Sequence, residues 1–379
     1  MARQAKKKKD ANEEKVATPL DIINAYLNDK DNKKLHYNHM EEIYYKISSG
    51  SLNLDLELGG GFPSGIHRLE GPEESGKTSC ALSVAKHFQE YFGDKSMFVY
   101  IKAEGRLTPE IIARSGIDIS PERFFCFDTN VIEAAFGMIK NLIFKNETNT
   151  RFMFFIDSMD GLNRQADLDK AFTESDQVAG GALVSSVFLK KMALPLVKHS
   201  HMLFFTSQVR SKISANGMGG SGSPESSGGN AWKHYSNFIL QFKKRYSNDI
   251  MYEFPEKKKV SEKGRPLGHK CKIEFKKSIN EKTGVNMDYP IIYGRTGGRS
   301  IWIEREIIDL CFSWGFFEKS GSWIKVDDEI IKILKENNLE FIDKIQGEDN
   351  LCKELEKNEA VTNFLFQYCK DEVGKLTAA

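Results

Sequence analysis

Residues Gly71 to Thr78 read GPEESGKT and fit the pattern G-x-x-x-x-G-K-[ST] without a mismatch. Glycines at both ends of such a segment let the backbone curl until its N–H groups face one polyphosphate, and a following helix adds partial positive charge at its N-terminus. Gly71, Pro72, Glu73, Glu74, Ser75, Gly76, Lys77, Thr78 and Ser79 are therefore the candidate nucleotide-binding segment. In such a segment the lysine, Lys77, reaches the β and γ phosphates of ATP, and the hydroxyl of Thr78 ligates Mg²⁺. An apolar run, IHRLE, precedes the motif and a helical run, SCALSVAKHF, follows it, as this chemistry requires.

Three further polar residues stand just past apolar runs, where open α/β sheets present their ligand-binding groups. Asp157 closes RFMFFIDS and can hold Mg²⁺ directly or through water, with Ser158 beside it. Many strands end in an aspartate, so Asp157 gains its meaning from the phosphate segment upstream. Glu104, in VYIKAEGRLTPE, can orient or deprotonate the water that attacks a γ-phosphate; a capping or surface acid is the alternative. Gln208, after HMLFFTS, carries a neutral amide that can hydrogen-bond a γ-phosphate, and it leads directly into a glycine-rich stretch.

These groups need a scaffold, and the apolar pattern supplies one. Ile66 to Leu69, Met97 to Ile101, Phe124 to Phe127, Arg151 to Ile156 and Met202 to Thr206 are short runs, several without alternation. Strands buried on both faces have this signature, which predicts an α/β fold with a mostly parallel sheet between helices. Phe238 to Phe242, Lys270 to Phe275 and Ile291 to Ile292 extend the sheet, with antiparallel strands or hairpins expected there. Between the groups, GMGGSGSPESSGGN at Gly217 to Asn230 is too rich in Gly and Ser to bury anything.

The flanks differ from this core. Residues 1–18 are polar, and the basic run Lys6 to Lys9 is either a solvated tail or a DNA contact. Within residues 19–47, the segment from Pro19 to Tyr45 carries helical periodicity around Leu20, Ile23, Tyr26 and Leu27, as a docking arm or as a helix packed on its own core. The core is expected to span 48–300, and 301–379 to form a C-terminal helical or α+β domain, with IEREIIDLCFSWGFF and DEIIKILKENN as helices.

At 379 residues the chain accommodates one large core and a smaller appendage, because single cores stop growing near about 250 to 300 residues. The composition, 40% hydrophobic and 28% charged, is that of an ordinary globular protein, and a net charge of +1 means that any DNA affinity must come from local basic surfaces. The six cysteines are scattered, without CxxC pairs or Cys/His clusters at metal spacing, so reduced thiols and a cytoplasmic location are expected. No apolar run is expected to approach the roughly 18 residues of a membrane span, and no membrane partner is expected.

Taken in order, the motifs resemble those of the bacterial and bacteriophage RecA-type recombinases. SSGSLNLDLELGGGFPSGIHRLEGPEESGKTS is similar to the family's first strand and P-loop, AEGRLTP to its catalytic-glutamate segment, and SQVRSKI followed by PESSGGNAWKHY to its second DNA-binding loop. SGIDISPERFFCF, IIYGRTGG and EKSGSW match as well, so the likeness covers roughly Ser48 to Lys325. It implies a RecA-like P-loop ATPase core with a small N-terminal helical polymerisation arm. It also implies an ATP- and Mg²⁺-dependent activity in DNA recombination and repair, in which filaments on single-stranded DNA pair and exchange strands with homologous duplex DNA. The implied partners are those DNAs, other copies of the chain in a homo-oligomeric helical filament, and accessory single-strand-binding and mediator proteins.

The same resemblance implies roles for single residues. Glu104 corresponds to the activating carboxylate, Asp157 to the magnesium-associated acid, Gln208 to the γ-phosphate sensor, and Tyr293 to an aromatic residue near adenine. Lys276 resembles a lysine that reaches the ATP of the neighbouring subunit. Arg210 and Lys212 resemble phosphate contacts, Ile213 a wedge between base triplets, and Gly228, Gly229 and Asn230 the returning limb of the DNA loop. The first DNA loop should lie around Lys170 to Gly180. Three departures stand out: a second trans-acting lysine falls on Ser278, with Lys277 one position away; an expected aromatic is aliphatic near Ile111; and no long acidic C-terminal tail is evident. These departures and the Lys- and Phe-rich composition lean towards a phage source.

Three other readings share the P-loop. A hexameric helicase or translocase would unwind forked duplexes, a P-loop kinase would hydrolyse ATP independently of DNA, and a non-catalytic ATP-switch scaffold would have no use for Glu104.

Overall fold

A computed structural model describes residues 18–41, 43–104, 107–170, 180–210, 225–226, 230–254, 257 and 259–378. The chain divides into two compact units, Met1–Glu42 and Ile43–Ala379.

In the first unit, α1 (Pro19–Asn28) is set by its start signals. Thr18 caps it, accepting from the Asp21 backbone while the Asp21 carboxylate accepts from the Thr18 backbone, and Pro19 occupies the first turn. The helical periodicity expected as far as residue 45 breaks at Asn28, and only a short 3₁₀ turn, Asn32–Lys34, follows. Leu20, Ile22, Ile23 and Tyr26 are exposed.

The second unit begins with α2 (Leu52–Glu57), β1 (Gly65–Glu70), α3 (Lys77–Phe92) and β2 (Ser96–Lys102). It continues through α4 (Pro109–Ser115), β3 (Phe124–Asp128), α5 (Ile132–Phe144), β4 (Arg151–Asp157) and α6 (Gln165–Leu168). Then come α7 (Gly180–Lys198), β5 (Met202–Ser207), the short pair β6 (Val209–Arg210) and β7 (Glu225–Ser226), α8 (Asn230–Tyr235) and β8 (Phe238–Phe242). The last strands of the sheet are β9 (Ile250–Tyr252), β10 (Pro266–Lys277) and β11 (Asn286–Ile292).

The main sheet runs β11-β10-β8-β1-β5-β4-β2-β3, with β9 beside β10. From β8 to β3 every pairing is parallel, whereas β10 and β11 are antiparallel. The five runs expected as parallel strands are parallel, and β8, expected with antiparallel strands or hairpins, pairs parallel with β1 and antiparallel only with β10. β1, β5 and β8 are buried at every position because helices cover both faces. On one face α3 buries Cys80, Ala81, Val84, Ala85 and Phe88 against Tyr100, Phe155 and Phe204. On the other, α5 presents Ile132, Ala135, Phe136, Ile139 and Ile143 at helical spacing, joined by Phe188 of α7 and Trp232 of α8. β10 alternates, with Cys271, Ile273 and Phe275 inward and Lys270, Lys272 and Lys276 outward.

α7 is the one helix among the described residues that is long and apolar enough to cross a membrane. Lys190 and Lys191 interrupt it, and Phe188, Leu189, Met192 and Leu196 are buried against the sheet.

The remainder comprises α9 (Ile303–Ser313), β12 (Phe317–Ser320), β13 (Trp323–Val326), α10 (Asp328–Glu336), β14 (Lys344–Gln346), α11 (Glu348–Lys357) and α12 (Glu359–Ala378). The helix expected through Phe316 and Phe317 stops at Ser313. Gly315 follows at φ +78°, and Phe317 opens a hairpin strand.

Candidate nucleotide-binding site

β1 delivers the chain to the phosphate segment, and two glycines there have no substitute. Gly71 sits at φ +148°, where a Cβ would lie 2.4 Å from the Phe242 carbonyl oxygen; Gly76, at φ +105°, turns the chain into α3. The Ser75 hydroxyl donates to the Pro72 carbonyl at 2.8 Å, closing the loop on itself. Lys77 curls over the same loop, its Nζ donating to the Gly71 and Pro72 carbonyls at 2.8 and 2.5 Å. Burial weakens the hold of Lys77 on its proton, while the carboxylates of Asp157, Glu104, Asp160 and Glu73 oppose that loss.

The acidic side of the site is built by three strands. Asp157, at the end of β4, accepts from the Thr78 hydroxyl at 3.1 Å, the Tyr100 hydroxyl at 2.5 Å and the Thr206 hydroxyl at 2.9 Å. Burial, and then the Asp157 charge, push the Tyr100 phenol well above its ordinary range, so it remains a donor. The next residue, Ser158, follows a cis peptide bond and donates its hydroxyl to Glu104. The Ala103 N–H donates to the Asp157 carbonyl at 3.0 Å, which ties the end of β2 to the end of β4. Thr78 and Asp157 thus offer a hydroxyl and a carboxylate at contact distance, a hard oxygen pair suited to Mg²⁺.

Gln208 joins this edge. Its backbone N–H donates to Asp160 at 2.7 Å and its amide to Glu73 at 3.4 Å. The Gly71 N–H donates to the Ser207 carbonyl at 3.2 Å, so the phosphate loop and the strand carrying Gln208 share a bond. Beyond Gln208, Val209 and Arg210 pair antiparallel with Ser226 and Glu225, bringing the two limbs of the glycine-rich segment together. Lys212, Ile213, Gly228 and Gly229 lie outside the described residues, as do residues 171–179 of the expected first DNA loop; Asn230 opens α8.

Tyr293, just after β11, is exposed and leans against His269, with ring centroids 5.5 Å apart. Burial and Arg245 push His269 down to about 4, so its ring is neutral at pH 7. Lys276 is exposed on β10 and pairs with Glu274 at 2.5 Å. Lys277 does not stand beside it: Nζ donates to the Lys233 and His234 carbonyls at 3.0 and 2.7 Å, closing the end of α8.

The reading of the residues missed Tyr100, Thr206 and Asp160. The first two resemble ordinary members of apolar strands, and only their alignment beside Asp157 in the sheet reveals them. Asp160, three positions after Asp157, was a legible signal.

The chain matches the family model described as RecA N-terminal domain over residues 16–296. It is 30% identical over 311 residues to Protein RecA of Solidesulfovibrio magneticus, covering 79% of this chain and 80% of that one. Protein RecA of Bartonella bacilliformis is 28% identical, with 78% of each chain covered. The mitochondrial DNA repair protein recA homolog of Dictyostelium discoideum is 29% identical over 82% of this chain and 62% of its own length.

Proposed function

Because this chain belongs to the RecA family, we propose that it polymerises on single-stranded DNA as a helical filament, hydrolyses ATP when that DNA is bound, and exchanges the strand with homologous duplex DNA. The observation that carries the reading is the meeting of Thr78, Asp157 and Glu104 beside Lys77, with Gln208 on the same sheet edge and leading into the glycine-rich segment.

In this reading Thr78 and Asp157 would hold Mg²⁺, whose charge would offset that of the terminal phosphates. Lys77 leaves its loop carbonyls for the β and γ phosphates, and Glu104, steadied by Ser158, orients the attacking water. Tyr293 lies along the base, and Lys276 reaches a neighbouring copy's nucleotide. Residues 19–47 serve as the polymerisation arm, 48–300 as the ATPase core and 301–379 as a C-terminal domain.

Gln208 couples chemistry to grip. With a γ-phosphate present it holds one arrangement of the segment from Arg210 to Asn230, and loss of that phosphate releases the segment. Arg210 and Lys212 contribute phosphate contacts without sequence preference, Ile213 separates bases, and the backbone of Gly228, Gly229 and Asn230 faces phosphates. Homology is then read by base pairing between strands.

Electron microscopy with single-stranded DNA and a non-hydrolysable ATP analogue tests the assembly. Continuous helical filaments are expected; discrete closed rings would favour a hexameric translocase.

A further inference from the structure

The central strand β1 carries a buried ion pair that the chemistry above does not use. Arg68 and Glu70 of β1 lie 3.2 Å apart with their side chains almost fully enclosed, 2% and 8% exposed. A buried pair of this kind is commonly no more stabilising than apolar side chains of similar volume, so its presence in a core strand calls for another use.

Its neighbours indicate one. Arg68 Nε also donates to the Ser207 hydroxyl at 3.0 Å, next to Gln208, and Asp160, which accepts from the Gln208 N–H, acts electrostatically on Arg68. In the other direction the Gln241 amide reaches Glu70 at 3.5 Å, and the Gln241 oxygen accepts from Lys243 at 2.6 Å. Lys243 pairs with Glu274, and Glu274 pairs with Lys276 at 2.5 Å. Sheet register aligns the row: Glu70 stands opposite Ser207 on β5 and Gln241 on β8, and Gln241 stands opposite Glu274 on β10. A continuous polar line therefore crosses four strands, from Gln208 at one end to Lys276 at the other.

We infer that Arg68 and Glu70 are positioning residues that hold the Ser207–Gln208 corner and the Glu274–Lys276 edge in one register, so that a chain's own γ-phosphate and a neighbour's nucleotide are sensed by a connected unit. The inference rests on the roles proposed for Gln208 and Lys276. Hydrogen-bond and ion-pair networks with discrete arrangements can carry coupling between two sites, and the row of ion pairs bridged by the Gln241 amide is such a network.

The test replaces the pair in the full-length protein by Arg68→Met with Glu70→Leu, which leaves no lone buried charge. Two ratios are read: affinity for a fluorescent non-hydrolysable ATP analogue over fluorescent ADP, and ATP hydrolysis with single-stranded DNA over hydrolysis without it. Both ratios are expected to fall about tenfold in a folded variant, the size of an ordinary coupling between sites. A purely structural pair would change thermal stability and leave both ratios alone, and wild-type ratios in the folded double variant overturn the inference. If the double variant does not fold, Arg68→Gln with Glu70→Gln decides in the same way, since it removes both charges while keeping amide groups to hydrogen-bond Ser207 and Gln241. Absence of DNA stimulation in the wild-type protein would count against the recombinase reading, while the nucleotide ratio would still decide the role of the pair.

Discussion

The Thr78 hydroxyl donates to the Asp157 carboxylate at 3.1 Å, joining the first turn of α3 to the end of β4 across 79 residues of chain. Tyr100 and Thr206, on the strands flanking β4, fix the same carboxylate from either side. An oxygen pair held by three separate elements is pre-organised, and in the proposed reading a cation would meet it once the Thr78 hydroxyl turns its proton away from Asp157.

The supporting hydroxyls can be tested apart from the ligands. Thr206→Val removes a donor to a buried carboxylate and should cost about 1.5 to 3 kcal/mol of stability. It should also raise the Mg²⁺ concentration for half-maximal ATP hydrolysis about tenfold, as loss of groups supporting a metal ligand does. An unchanged Mg²⁺ titration would show that the Thr206 contact does not orient Asp157.

Lys77 and Glu104 should separate binding from turnover. Lys77→Ala removes the cation that answers the phosphates and should abolish both hydrolysis and stable filaments. Glu104→Gln keeps the shape and the contact with Ser158 but loses the base, so it should bind ATP and DNA while hydrolysing about 10² to 10⁴ times more slowly. Radiolabelled ATP binding beside phosphate release distinguishes the two, and wild-type hydrolysis by Glu104→Gln would remove the water-activating role.

The junction between α2 and α9 should respond to pH. Glu306 is fully buried, accepting from the Ser51 hydroxyl at 2.5 Å and the Leu52 N–H at 3.0 Å, and burial raises its pKa from 4.5 to about 8. A carboxyl whose folded pKa is raised gives stability that is complete below its unfolded pKa and is lost as pH rises through the folded one. Tm should therefore fall between pH 4.5 and about 8, and Glu306→Gln should flatten that slope. Parallel Tm profiles for the two proteins would contradict a protonated Glu306.

How much of this was legible depended on locality. The phosphate segment is a contiguous pattern, so Gly71 to Thr78 could be read residue by residue. The parallel strands were legible because burial on both faces leaves an uninterrupted apolar run, as in RFMFFID. Strand order is a non-local property, and so Tyr100 and Thr206 passed as core residues although they hold Asp157. Arg68 and Glu70 lay hidden for the same reason: within IHRLE they look like polar interruptions, and only the neighbouring strands reveal a row. In the C-terminal part, Phe316 and Phe317 continue a helical pattern on paper, but Gly315 ends it and Phe317 pairs with Val326 in a hairpin.

The central claim is that the nucleotide beside Gln208 decides whether the segment from Arg210 to Asn230 grips DNA. Fluorescence anisotropy of a labelled single-stranded oligonucleotide, titrated at fixed salt with the protein bound to a non-hydrolysable ATP analogue, to ADP or to no nucleotide, tests it directly. The account predicts tight binding with the analogue and binding weaker by about 5-fold to 150-fold with ADP or none. Equal affinity in all three states would contradict it.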